Sequence, residues 1–146
     1  MPIDEAVLID TGPLVAYMNR ADAEHRSCVE VFHSLPLAKA STCWPVLTEA
    51  AYLMRVRLNL PDPSPLLDLL LQHELQLSVI ERRDIERIQD VFRRYHDQAV
   101  DLADAALLAL AEREDITTIF TTDRRDFRIF RRLNGRPFRL LPDDYP

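Results

Sequence analysis

Apolar residues in this chain fall into short runs cut off by turn residues, alternating with longer stretches where they recur every three or four positions. The short runs read as buried strands and the periodic stretches as helices. Residues 6–10 form the first run, which ends on Asp10 with Thr11, Gly12 and Pro13 directly behind it. The apolar stretch 14–18 predicts a short helix after Pro13, a residue suited to a first helical turn. A polar break at 19–23 follows. A second helix then begins at Asp22 or Ala23, turns Cys28, Val29, Val31, Phe32 and Leu35 toward a core, and stops at Pro36. Residues 40–43 predict a short strand. Pro45 opens a helix carrying Val46, Leu47, Ala50, Ala51, Leu53 and Met54.

Residues 59–65 are the main punctuation. Pro61, Pro63 and Pro65 cannot all be helix interior. This is a turn between two helices rather than a domain boundary, because neither side could bury a core alone. The second half predicts a helix at 66–71, an alternating strand at 75–80 and an amphipathic helix at 82–96 with Ile85, Ile88, Val91, Phe92 and Tyr95 on one face. An alanine-rich buried helix spans 102–113, and a β-branched strand at 117–122 ends on Asp123. Residues 127–133 read as helix or loop, and 138–141 as a final strand. Strands alternating with helices imply βαβ units, hence a parallel sheet of four to five strands with helices on both faces. All of this is expected to form one α/β domain over 1–146.

Composition narrows the class. With 146 residues, 47% of them hydrophobic, the chain can build one core but not two. Its apolar runs are too short to span a membrane, and the acidic start at Asp4 and Glu5 is unlike a signal peptide. Cys28 and Cys43 have no metal-motif spacing, so a reduced cytoplasm fits best. Only two glycines are present, which excludes P-loop and dinucleotide fingerprints. The four histidines share no ligand spacing, and no serine sits in a nucleophile elbow. The net charge of −6 argues against nucleic-acid binding, but the basic residues are unevenly placed. Lys39 is the only lysine. Arg124, Arg125, Arg128, Arg131, Arg132, Arg136 and Arg139 crowd the last quarter, opposed within the span 124–139 only by Asp126. Arginine's planar fork suits phosphate.

The acids carry the candidate chemistry. Asp10 and Asp123 each end an apolar strand, and open parallel sheets bind ligands at those carboxyl ends. Either could instead cap the helix that follows. Glu49 lies within an apolar helix, where a carboxylate is costly unless paired or metal-bound. Asp101 and Asp104, at i and i+3, place their Cβ atoms about 5–6 Å apart at the start of the alanine-rich helix. The helix dipole alone could account for Asp101 there. Assembled carboxylates repel one another and so demand a cation. All-oxygen ligation selects Mg²⁺ or Mn²⁺ over zinc, and the implied chemistry is metal-assisted phosphodiester hydrolysis.

The blocks Val7–Ala16, Asp22 with His25, Pro45–Ala50, Leu102–Ala106 and Thr121–Phe127 resemble, in order and spacing, the motifs of PIN-domain ribonucleases, most closely the VapC-type toxins of bacterial toxin–antitoxin pairs. The resemblance covers nearly the whole chain. It implies a PIN-like three-layer α/β/α fold and a metal site of Asp10, Glu49, Asp104 and Asp123. Asp101 matches an acid found in part of the family and would be an auxiliary ligand through water. Thr11 and Thr122 would orient water or phosphate. The resemblance further implies an RNA substrate, a homodimer and a cognate antitoxin, with Arg124, Arg125 and Arg128 contacting RNA or antitoxin. Two other readings keep the fold: a non-catalytic RNA- or protein-interaction module, and a stand-alone RNA-processing nuclease. Receiver and haloacid-dehalogenase types fail, because no lysine occurs late in the chain and Gly12 stands where the second dehalogenase Asp is needed.

Overall fold

A computed structural model describes residues 3–144. Its centre is a five-stranded sheet, every pairing of which is parallel: β1 (Val7–Ile9), β2 (Ala40–Thr42), β3 (Gln76–Leu77), β4 (Thr118–Phe120) and β5 (Arg139–Leu141), in the spatial order β3-β2-β1-β4-β5. Val7, Leu8 and Ile9 are all fully buried. Successive strand residues point to opposite faces, so burial of all three means that both faces are covered. The sheet is the middle layer of the α/β/α architecture expected.

The helices are α1 (Thr11–Met18), α2 (His25–Ser34), α3 (Trp44–Leu58), α4 (Ser64–Leu71), α5 (Ile85–Arg94), α6 (Leu102–Arg113) and α7 (Arg124–Ile129), with a 3₁₀ turn at Arg82–Asp84 before α5. Helix α6 packs against α3 and α5, and its residues from Ala103 to Ala111 are all buried. Its alanines permit this close approach.

Several boundaries differ from the periodicity. Helix α1 starts at Thr11, directly on the strand, because Pro13 sits in its first turn where no amide is needed. Helix α2 begins only at His25, since Asp22 accepts the Glu24 amide at 2.8 Å and holds 22–24 in a turn. The strand expected at 75–80 shrinks to two edge residues, with Leu77 and Val79 exposed. Helix α7 lies at 124–129, earlier than the stretch expected at 127–133, because Asp123 caps it. Pro65 belongs to the first turn of α4, and Asn59 ends α3 in the left-handed region at φ 53°.

The strand order fixes where a ligand can lie. From β1 the chain moves outward through β2 and β3, then returns to the other side of β1 as β4. The order therefore reverses between β1 and β4. Connections leaving these two neighbours pass to opposite faces and open a crevice at their carboxyl ends.

Candidate active site

Asp10 follows the last residue of β1, and its amide donates to Phe120 O at 2.8 Å, which locks it to β4. It occupies the cap position of α1 but makes no capping hydrogen bond. Its Oδ2 instead accepts from the Thr121 hydroxyl at 2.8 Å. The side chain is buried and has no cationic partner among the described residues. Burial pushes the carboxyl up to about 7, and the charges of Glu49 and Asp123 add to the rise; the Thr11 amide and the Thr121 hydroxyl offset it only partly.

Asp104 is brought to the same crevice by α6. That helix runs back to feed β4, so its N-terminal turn lies at the carboxyl end of the sheet. The Asp104 amide donates to Asp101 Oδ1 at 2.8 Å, and the Asp101 amide donates back to Asp104 Oδ2 at 3.3 Å. This is a capping box closed by two acids. Burial, then the charges of Asp101, Asp10 and Asp123, hold the Asp104 carboxyl far above the usual range. Glu49 lies in the second turn of α3, half-buried, and its Oε2 accepts from the Thr11 hydroxyl at 3.0 Å. Burial and the charge of Asp101 raise its pKa; Thr11 and Arg57 oppose the rise.

Asp123 caps α7, accepting from the Asp126 amide at 3.2 Å. The capping role weighed for these acids is thus taken up by Asp101 and Asp123 but not by Asp10. Their charges nevertheless act across the crevice: Glu49 and Asp123 on Asp10, Asp101 and Asp123 on Glu49, and Asp101, Asp10 and Asp123 on Asp104. Among the described residues no cation pairs with Asp10 or Asp104, and the cation that acts on Glu49 is Arg57. The donors are all oxygens, a set that suits a hard divalent ion. Among the described residues, no three acidic, imidazole or thiol side chains stand close enough together to ligate one ion as they are.

The geometry adds three residues that the sequence reading passed over. Thr121 is the hydroxyl that holds Asp10, and it also accepts the Asp123 amide at 2.9 Å. Its signal was alternation, since it stands two residues before Asp123 at the end of the same strand. Thr122 instead packs over Gly12, where an added Cβ would collide with the Thr122 hydroxyl. Gly12 therefore permits the close approach of the β1 and β4 ends. Asp126, at i+3 from Asp123, is the third; burial, then the charge of Asp123 and a hydrogen bond with it, raise its pKa.

Of the arginines singled out, Arg124 pairs with Glu24 at 3.0 Å and Asp143 at 2.6 Å, and Arg128 pairs with Asp143 at 2.9 Å. Arg125 is exposed and forms no ion pair among the described residues.

An α/β/α fold with a carboxylate crevice at its switch point defines a class, and comparison identifies it. Residues 7–134 match the PIN domain family model. The chain is 31% identical over 136 residues to Ribonuclease VapC26 of Mycobacterium tuberculosis, covering 93% of this chain and all of that protein. The crystal structure of Mycobacterium tuberculosis VapC20, described as a sarcin–ricin-loop-cleaving toxin, superposes with a TM-score of 0.70 at 18% identity, over 78% of this chain and 87% of that one. This chain belongs to the PIN-domain family, among the VapC ribonucleases.

Proposed function

We infer that this chain is a Mg²⁺- or Mn²⁺-dependent endoribonuclease, formed as a single domain over 1–146, and the toxin of a toxin–antitoxin pair. One observation carries the catalytic reading: Asp10 and Asp104 are both buried among like charges at the switch point, with no cation among the described residues to neutralise them. Such an arrangement costs several kcal/mol per uncompensated charge in a folded protein. It is rational where the counter-charge comes from outside. Asp10, Glu49, Asp104 and Asp123 would hold the ion, with Asp101 as an auxiliary through water.

A divalent ion held there would supply charge to offset the scissile phosphate and to activate a water. The chain's own residues set the geometry. Thr121 fixes one oxygen of Asp10, Thr11 fixes one oxygen of Glu49, and the capping turns of α6 and α7 hold Asp104 and Asp123. Thr122, seated on Gly12, keeps the two strand ends together.

The relatives' names support RNA as substrate and a VapC role. A cognate antitoxin, a homodimer and a cytoplasmic setting follow from that role. The exposed Tyr52 and Val56 of α3 and Leu71 of α4 offer apolar surface for the dimer. No helix among the described residues is long and apolar enough to cross a membrane. The test is cleavage of an RNA panel by purified protein with Mg²⁺, Mn²⁺ or excess EDTA, alongside folded Asp10→Asn protein. Cleavage only by the unmodified chain with metal is the expected result; cleavage by Asp10→Asn, or in EDTA, overturns the assignment. Growth arrest on expression, relieved by the product of an adjacent small reading frame, tests the toxin role.

A further inference from the structure

The arginines of α7 are already holding a carboxylate that spans them as a phosphate would. Arg124 and Arg128 stand at i and i+4 on one face of the helix. Asp143 puts Oδ1 at 2.6 Å from Arg124 Nε and Oδ2 at 2.9 Å from Arg128. One oxygen to each of two guanidinium groups is also how two non-bridging oxygens of a phosphodiester are taken. The place is beside the reaction centre: Arg124 directly follows Asp123, and its guanidinium donates to Thr122 O at 3.3 Å. The guanidinium groups are partly open to solvent, with the Arg124 side chain 37% exposed and that of Arg128 54%.

The Asp143 charge is not what holds the tail in place. Asp144 does that: its Oδ2 accepts the Leu140 amide at 2.8 Å, and its own amide donates to Leu140 O at 2.7 Å. Arg139 adds a hydrogen bond to Asp144 O at 3.3 Å. The turn that presents Asp143 is therefore pinned independently of the arginines it touches.

We propose that Arg124 and Arg128 form an RNA-phosphate subsite next to the carboxylate crevice, and that Asp143 is an internal phosphate surrogate which RNA must displace. The proposal rests on the nuclease reading and assigns one of its substrate contacts. It has a thermodynamic signature. Protein cations neutralised by solution ions release them when they meet RNA, and affinity then falls with salt at a slope near 0.7 per phosphate on single strands. Cations already neutralised by Asp143 have no ions to release.

The experiment measures binding of a labelled single-stranded RNA by fluorescence anisotropy over a range of NaCl, with Mg²⁺ present. The Asp10→Asn background leaves the RNA uncut. Adding Asp143→Asn should tighten binding roughly five- to tenfold at low salt, because two exposed ion pairs of modest strength no longer compete. The slope of log affinity against log salt should steepen by about 0.7, the share of the one phosphate that the two arginines would grip. Asp143→Glu should restore the original affinity and slope. Arg124→Gln with Arg128→Gln should erase the gain in the Asp143→Asn protein. Unchanged or weaker binding by folded Asp143→Asn overturns the subsite, and so does a tighter affinity without a steeper slope. The nuclease reading fails separately, by absence of metal-dependent cleavage in the unmodified chain. If Asp143→Asn does not fold, Arg128→Gln alone decides: weaker RNA binding with an unchanged slope supports the subsite, and unchanged affinity overturns it.

Discussion

The two ends of α6 bury acids under opposite rules. At its C-terminal end Arg113 reaches Asp84, which is 3% exposed, and also donates to Val79 O at 2.9 Å. Arg87 and Glu112 pair beside it. Asp84 and Glu81 close a capping box of their own. At the N-terminal end, roughly 14 Å along the same helix, Asp104 is 6% exposed in a similar capping box, yet its neighbours are further acids. The fold thus neutralises a buried carboxylate where the purpose is stability. The missing cation at the other end is local to the crevice, and the difference is what the proposed metal site rests on.

The sharpest way to break this contrast is to neutralise an acid at each end. Asp104→Asn keeps the oxygen that accepts the Asp101 amide but removes the repelling charge. RNA cleavage should fall at least about 100-fold, since even changes around a metal's ligands cost 10–100-fold. Stability without metal should rise, not fall. Arg113→Ala should do the reverse. Leaving Asp84 charged and unpaired costs about 3–5 kcal/mol, readable as a lower urea midpoint, and Asp84→Asn in the same chain should recover part of the loss. Destabilised Asp104→Asn protein, or an unaffected Arg113→Ala protein, would erase the distinction.

The same contrast predicts how stability depends on pH. The carboxyl of Asp10 titrates near 7 in the folded chain, against 3.8 for the unfolded reference, and that of Asp104 is shifted the same way. Between these values the folded state holds protons that the unfolded state has released. Stability without metal is therefore greatest below pH 4 as far as these groups are concerned, and it declines as pH rises to about 7 and beyond. The slope is at most about 1.4 kcal/mol per pH unit for each group. Thermal melts in EDTA should show this decline, saturating Mn²⁺ should flatten it above neutrality, and Asp10→Asn should reduce it. A decline identical with and without Mn²⁺ would place its origin outside the crevice.

Much of this architecture was legible in the sequence. The short runs at 6–10 and 117–122, alternating with helical stretches, announced a parallel sheet. Asp10 and Asp123 stand where that reading put them, at the carboxyl ends of β1 and β4. What was not legible depends on contacts distant in sequence. The alternating pattern at 75–80 overstated β3, because alternation cannot tell a paired strand from an exposed edge. The basic tail looked like free positive charge because Glu24, Glu5 and Asp143, which neutralise Arg124, Arg139 and Arg128, lie outside its span. Spacing alone also does not show that the Thr121 hydroxyl reaches Asp10 at 2.8 Å while the Thr122 hydroxyl lies over Gly12, because both contacts are made across the sheet.

The smallest change that should still tell the two ends apart is one methyl group. At the crevice the β1 and β4 ends meet at Gly12, and an added Cβ would strike the Thr122 hydroxyl. Gly12→Ala must therefore push apart the loops that carry Asp10 and Asp123, at an overpacking cost of about 1–3 kcal/mol. Cleavage should drop together with stability. Thr122→Ala removes the colliding oxygen and leaves the Thr122 Cβ position at 3.3 Å, a tight but tolerable contact. The double variant should therefore regain most of the stability. If it also regains cleavage, Thr122 serves only as a packing partner and the Thr121 hydroxyl is the one that matters for Asp10. If stability returns and cleavage does not, the Thr122 hydroxyl takes part in the reaction itself.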